Sequence, residues 1–360
     1  MVSVELKDAF ISLLRLGIGQ SSNSLLSDID WRSLKALADK HGLSAIILDA
    51  LNADGTNLTD AMPMQMKLSW IGEVLQNYEQ RYVAYEKAIG SLAGFYNQHG
   101  LKMMVLKGYA CGLDWPKPEH RPCGDIDIWQ FGQQKEADKA LTKDKGIQID
   151  NSHHHHTVFY WRKFMVENHY DFINVYHHKS NIGLESIFKD LGQDDSHFVE
   201  VSGEKVYLPS QNLHALFLLK HNMSHFAAEG MNFRQLLDWA FFVKAHGKDV
   251  DWNWLERTLE KYGMKLAFDV FNAICVEDLG FDADLFPQAT ISHALKERVL
   301  NEIFEREFND KLPENVFKRI CFKLIRWKAN AWKHKLCYKD SMWSAFWSGV
   351  WSHLLKPSSI

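Results

Sequence analysis

The chain has 360 residues, 46% of them apolar and 24% charged, with a net charge of −4 at neutral pH. That length allows two or three cores, and the composition is ordinary for a soluble globular protein. No apolar run approaches the roughly eighteen residues of a spanning helix, no basic start leads into an apolar stretch, and the charge balance gives no global case for coating nucleic acid.

The five cysteines (Cys111, Cys123, Cys275, Cys321 and Cys337) are scattered and odd in number, with no C-x-x-C pair. They read as free thiols in a reducing compartment, so a cytoplasmic location is expected rather than a disulfide scaffold or a cysteine zinc site.

Residues 1–98 read as a helical region. Asp30 is placed to cap a helix carrying Trp31, Leu34, Leu37 and Ala38, with Gly42 as its stop. From Met64 to Tyr96 a second stripe runs through Leu68, Ile71, Leu75, Tyr78, Tyr82 and Ile89, weakened at Gly72, Gly90 and Gly94.

Residues 99–208 change character and read as a compact mixed α/β core. Leu101 to Leu106 is a short buried strand, followed by a loop with Pro116, Pro118 and Pro122, then the alternating segment from Asp125 to Trp129. Gln133 to Lys143 reads as a surface helix stopped by Gly146. His153 to Trp161 and Phe164 to Phe172 read as a hairpin around Arg162-Lys163, and Phe198 to Leu208 as a second hairpin turning at Gly203.

Residues 209–360 return to helical spacing. Leu213, Leu216, Phe217 and Lys220 open one helix, Phe233 to Ala240 a second, and Trp252, Leu255 and Leu259 a third. Lys311 to Asp340 carries nine Lys/Arg against two acidic residues, a solvated face or a phosphate-attracting surface. Trp343, Trp347 and Trp351 form a four-spaced aromatic stripe, core or docking in the ordinary case and a peripheral membrane contact in the sharper one.

The chemistry concentrates in the middle third. In a strand, Asp125 and Asp127 point to one face while Ile126 and Ile128 bury the other. Two carboxylates so close need a cation between them, and a divalent metal supplies it. Upstream, Val105-Leu106-Lys107-Gly108 is a strand running into a glycine and then a helix start at Tyr109, a junction whose backbone N–H groups favour phosphate. Downstream, Glu167 puts a carboxylate in an apolar strand, where an unpaired charge is costly. His169 follows on the same face and is placed to orient that carboxylate or the substrate.

Taken together, L-K-G (Leu106 to Gly108), R-P-x-G-D-I-D-I (Arg121 to Ile128) and V-E-N-H (Val166 to His169) resemble the nucleotidyltransferase superfamily. The match is closest to its bacterial branch of uncharacterised nucleotidyltransferases, and it extends to Asp30-Trp31, His99-Gly100 and the later Leu219, His221, His225, Leu237 and Asp238. The resemblance implies an α+β fold: a nucleotidyltransferase-like mixed sheet flanked by helices. It implies transfer of a nucleoside monophosphate from an NTP to a hydroxyl of a small molecule, protein or RNA, with release of pyrophosphate.

By the same resemblance Asp125, Asp127 and Glu167 are the catalytic and metal-binding residues, holding Mg²⁺ or Mn²⁺. Gly108 gives the β- and γ-phosphates close backbone approach, Lys107 and Arg121 neutralise charge, and Lys220 or His221 reaches the nucleotide from the C-terminal helices. Two departures stand out: Tyr109 replaces the family's usual Gly or Ser at the turn, and the third carboxylate is a glutamate. Tyr109 supports an alternative, a nucleotide-binding regulator without turnover, and the basic 311–340 segment a second one, a tRNA-modifying toxin-like enzyme. His153 to His156 alternate faces if the strand is regular, so 153 with 155, or 154 with 156, could share a ligand. His221 and His225 share a helix face with no third ligand evident from spacing.

Overall fold

The computed structural model describes residues 2–21, 29–52, 62–176, 178–306 and 315–355. The chain divides into two compact units. One comprises residues 1–71, 219–244 and 252–342; the other comprises 72–218, 245–251 and 343–360.

The first unit is helical. Ser3 caps the helix Val4–Gly17, its hydroxyl accepting from the Leu6 amide. Asp30 caps the helix Trp31–His41 by accepting from the Arg32 and Ser33 amides, and Gly42 ends it in the left-handed conformation. Phe10, His41, Phe233 and Phe304 pack as tilted and edge-on rings in its core. Burial there drops the His41 pKa to about 3, so the ring is a neutral core member.

The second unit is built on a six-stranded mixed sheet in the order β3-β4-β2-β1-β6-β5. Its strands are β1 (Met104–Val105), β2 (Ile126–Trp129), β3 (His156–Trp161), β4 (Phe164–His169), β5 (Phe198–Val201) and β6 (Glu204–Tyr207). β2 lies antiparallel to β1 and parallel to β4, and β3–β4 and β5–β6 are antiparallel hairpins. The fold class is thus α+β, with helices flanking a mixed sheet.

One face of the sheet is closed by the helices Gln80–Gln98 and Gln134–Lys145, which bury Ile126, Ile128, Phe159, Phe164 and Val166 with Tyr85, Ile89, Leu92, Ala137 and Leu141. The glycine at 90 inside the long helix is a contact requirement. A Cβ there would stand 2.7 Å from the Val201 carbonyl oxygen, so the helix crosses the β5–β6 hairpin only with glycine at that point. The hairpin turns at Ser202-Gly203, both at positive φ, and the β3–β4 turn places Arg162 at φ 54.

Three local differences from the sequence reading have physical reasons. The long 64–96 stripe is one helical run interrupted by a π-helical turn at Leu75–Glu79. β3 begins only at His156, because residues 153–155 bend. The helix Ser180–Leu191 was not anticipated; its Glu185 accepts from the Phe172 and Ile173 amides and so ties it to the end of β4.

None of the five cysteines is disulfide-bonded. In the basic segment, residues 307–314 lie outside the described residues, while Lys333 turns inward to pair with Glu302. Trp343 and Trp347 are exposed on the helix Met342–Leu355; the Trp351 side chain lies outside the described ones. Among the described residues no helix is long and apolar enough to cross a membrane.

Candidate functional site

β1 delivers the first residues of the site. Past Val105, the Leu106 amide donates to the Asp127 carbonyl, so Lys107 and Gly108 emerge beside β2. Gly108 has φ 64 and ψ −97, a conformation closed to side-chain-bearing residues. A Cβ there would also lie 2.6 Å from the Tyr85 hydroxyl, which donates to the Asp125 carbonyl at 2.7 Å. Arg81 Nε donates to the Cys123 carbonyl at 3.0 Å. The helix Gln80–Gln98 therefore straps down the loop that leads into β2, and Gly108 leaves room for the strap.

Asp125 is half-buried just before β2, and Asp127 sits within the strand at 1% side-chain exposure. Because β2 and β4 are parallel and in register, Asp127 stands directly beside Glu167, and Trp129 beside His169. Side chains in register on neighbouring strands share a face, so Asp127, Glu167 and His169 come together opposite Ile126, Ile128 and Val166. The Lys107 ammonium lies 3.1 Å from Asp127 Oδ1.

The electrostatics follow from this crowding. Burial and the neighbouring Asp127 charge push the Glu167 pKa up to about 7, against the pull of Lys107 and His169. For Lys107 burial alone would favour the neutral amine, but Asp127, Asp125 and Glu167 outweigh it and hold its pKa above the ordinary lysine value.

His169 is fixed by its backbone neighbourhood. Nδ1 lies 3.1 Å from the Asp171 carbonyl, which can only accept, so that nitrogen carries the proton. Nε2 is then aimed at Asp127 Oδ1, 3.3 Å away, and Glu167 Oε2, 3.7 Å away. A lone pair facing two carboxylates is unfavourable, whereas a proton or a metal ion between them is favourable. A carbonyl-oriented imidazole with its second nitrogen turned to carboxylates is how metal-ligating histidines are held. Donor atoms of Asp127, Glu167 and His169 lie within 4.8 Å of one another. Two carboxylates and a neutral imidazole fit a divalent cation.

The histidine run departs from simple alternation. The His155 carbonyl accepts from both the Tyr170 and Asp171 amides, and this bend turns the 155 ring alongside His156, with centroids 4.4 Å apart. Those rings stand 5.6 Å and 5.2 Å from His169, so 155 and 156 converge, rather than 153 with 155 or 154 with 156. His153 stacks on His156, while His154 turns to Tyr176. Burial and the crowding of like rings drop the pKa of His155 to about 2 and of His156 to about 3.

Tyr109 does not crowd the Lys107-Gly108 turn. Its ring is buried against Tyr82, and its hydroxyl donates to Glu86 Oε1 at 2.9 Å. The helix it opens, Tyr109–Gly112, is a single turn and offers little dipole. Arg121 is buried, with Nη1 3.4 Å from the carbonyl of its neighbour Pro122. Lys220 and His221 belong to the other compact unit. There the Lys220 ammonium lies 4.2 Å from the Tyr338 ring centre, burial lowers its pKa to about 8, and His221 packs on His225.

Sequence reasoning missed Tyr85 and Arg81, whose helical stripe gave no sign of a polar duty, and the convergence of His155 with His156. The histidine run itself was visible, but its bend was not.

The fold thus brings carboxylates together on adjacent parallel strands of an α+β sheet, with a glycine turn beside them. Residues 27–279 match a family described as uncharacterised nucleotidyltransferase, and the chain belongs to that family. No protein with a curated description matches it. A crystal structure of an antigenic nucleotidyltransferase-like protein from Paracoccidioides brasiliensis is similar over 44% of this chain and 75% of that one, at 15% identity and a TM-score of 0.33. At that score the likeness carries no argument about this chain.

Proposed function

We propose that this chain transfers a nucleoside monophosphate from an NTP to a hydroxyl acceptor, releasing pyrophosphate, with Mg²⁺ or Mn²⁺ held by Asp125, Asp127 and Glu167. What supports this reading above all is the in-register pairing of Asp127 with Glu167 beside Lys107. These carboxylates would hold the cation, which would supply charge neutralisation for the phosphates. Lys107, close to Asp127, is positioned to add positive charge near a bound triphosphate, and Gly108 lets the chain turn beside it. Glu167 accepts a proton from the acceptor hydroxyl, and His169 keeps that carboxylate in line. In this reading residues 99–208 carry the chemistry, between helical regions 1–98 and 209–360. No step is assigned to Arg121, Lys220 or His221.

The test is release of labelled pyrophosphate from each NTP with Mg²⁺ or Mn²⁺ across small-molecule, protein and RNA acceptors. Turnover in the native protein, abolished in Asp127→Asn and Glu167→Gln, is the expected result. Undiminished turnover in both variants would falsify the assignment. One observation favours a second reading, nucleotide binding without turnover: the Tyr109 hydroxyl is committed to Glu86 and does not serve the turn. Metal-dependent NTP binding with no pyrophosphate under any acceptor would select it.

A further inference from the structure

Beside the carboxylates stands a second donor set made of nitrogen. One donor atom from each of His155, His156 and His169 lies within 4.8 Å of the others. Three different pieces of backbone supply them: the bend before β3, the first residue of β3 and the last residue of β4. The bend is fixed by two amides on the His155 carbonyl, and His169 by the Asp171 carbonyl. His156 is 6% exposed, and both its Nδ1 and the Nδ1 of His155 are buried with no hydrogen-bond partner among the described residues. Glu167 Oε2 lies 3.8 Å from His156 Nδ1 and 3.7 Å from His169 Nε2.

We propose that His155, His156 and His169 form a binding site for a borderline d-block cation of the zinc class, with Glu167 within reach as a fourth ligand. Buried ring nitrogens without partners lose their hydration and gain nothing in return unless a shared cation takes their lone pairs. Three imidazoles with one further position is a donor set that suits Zn²⁺ or Co²⁺, whereas Mg²⁺ keeps to oxygen ligands. This site shares His169 and Glu167 with the carboxylate set but differs from it in its nitrogen-rich donor chemistry, and it does not depend on nucleotidyl transfer.

The experiment uses the full chain, stripped of metal by chelation and titrated with Co²⁺ while the visible spectrum is recorded. The expected result is one equivalent of Co²⁺ bound with the strong d–d absorption of a four-coordinate nitrogen-rich site. A small excess of Zn²⁺ should displace it and a large excess of Mg²⁺ should not. His155→Ala and His156→Ala should each weaken Co²⁺ binding by about tenfold or more. Only the faint absorption of six-coordinate Co²⁺, displacement by Mg²⁺, or no binding at all would overturn the proposal, and these readouts need no variant. Binding lost in Asp127→Asn yet intact in His155→Ala would overturn it too, by putting the ion on the carboxylates. Absent pyrophosphate release alongside an intact Co²⁺ band would sink the proposed function and leave this site standing.

Discussion

The sheet carries a polar cluster on each face of β4, and the two are solved differently. On the helix-covered face the Asp138 carboxylate is surrounded by donors: Asn168 Nδ2 gives to Oδ1 at 2.8 Å, Thr157 Oγ1 gives to Oδ2 at 2.9 Å, and Gln134 Nε2 adds a further bond. On the opposite face Asp127, Glu167, His169 and His156 stand at 3.3 to 3.8 Å, acceptor against acceptor, with Lys107 as the cation among them. Asn168 and Glu167 are adjacent in sequence and serve these opposite ends. A buried polar group whose partners are all side chains of the same core is there to hold the fold together. One whose neighbours repel it is built for something that arrives from outside.

That contrast can be broken in four ways. Asp127→Asn should lower pyrophosphate release by about a hundredfold or more, the scale of losing one preorganised charge at a reacting centre, while leaving the thermal midpoint unchanged or raised. A loss of activity that merely tracks unfolding would erase the distinction. Lys107→Met removes the cation and leaves carboxylates crowded. Because Lys107 keeps some contact with water, at 18% exposure, the cost in a urea melt should be about 2–3 kcal/mol, below that of a fully buried pair, and Mg²⁺ should recover part of it.

Asp138→Ala, on the other face, should cost about 1–3 kcal/mol through its abandoned donors and leave Mn²⁺ affinity untouched. A fall in that affinity would show the two clusters to be one.

The fourth way is through pH. Glu167 has its pKa raised to about 7, so below that value a proton occupies the site that a cation would take. Cation affinity, followed by calorimetry, should be constant above the raised pKa and fall by up to about tenfold for each unit below it. A flat profile between pH 5 and 8 would remove Glu167 from the ligand set.

Much of this was legible in the sequence because it depends on period. The alternation from Asp125 to Trp129 assigned opposite faces to aspartate and isoleucine without any knowledge of partners, and the Arg162-Lys163 and Ser202-Gly203 turns marked their hairpins. What could not be read was anything set by a distant backbone group. The bend that joins His155 to His156 depends on amides of residues 170 and 171, and Gly108 answers to a tyrosine hydroxyl from residue 85. The destination of the Tyr109 ring likewise depends on Glu86, so the residue that departs from the family's pattern at the turn is a packing element. Periodicity gives the face of a strand; tertiary hydrogen bonds decide what meets there.

Manganese binding read by electron paramagnetic resonance tests the shared-cation idea most directly, because free Mn²⁺ can be counted without any knowledge of the acceptor. Native protein should remove Mn²⁺ from solution at one or two sites, and Glu167→Gln and Asp127→Asn should each release it. If Glu167→Gln holds Mn²⁺ as tightly as the native chain, the two neighbouring strands do not share an ion, and the proposed chemistry loses its foundation.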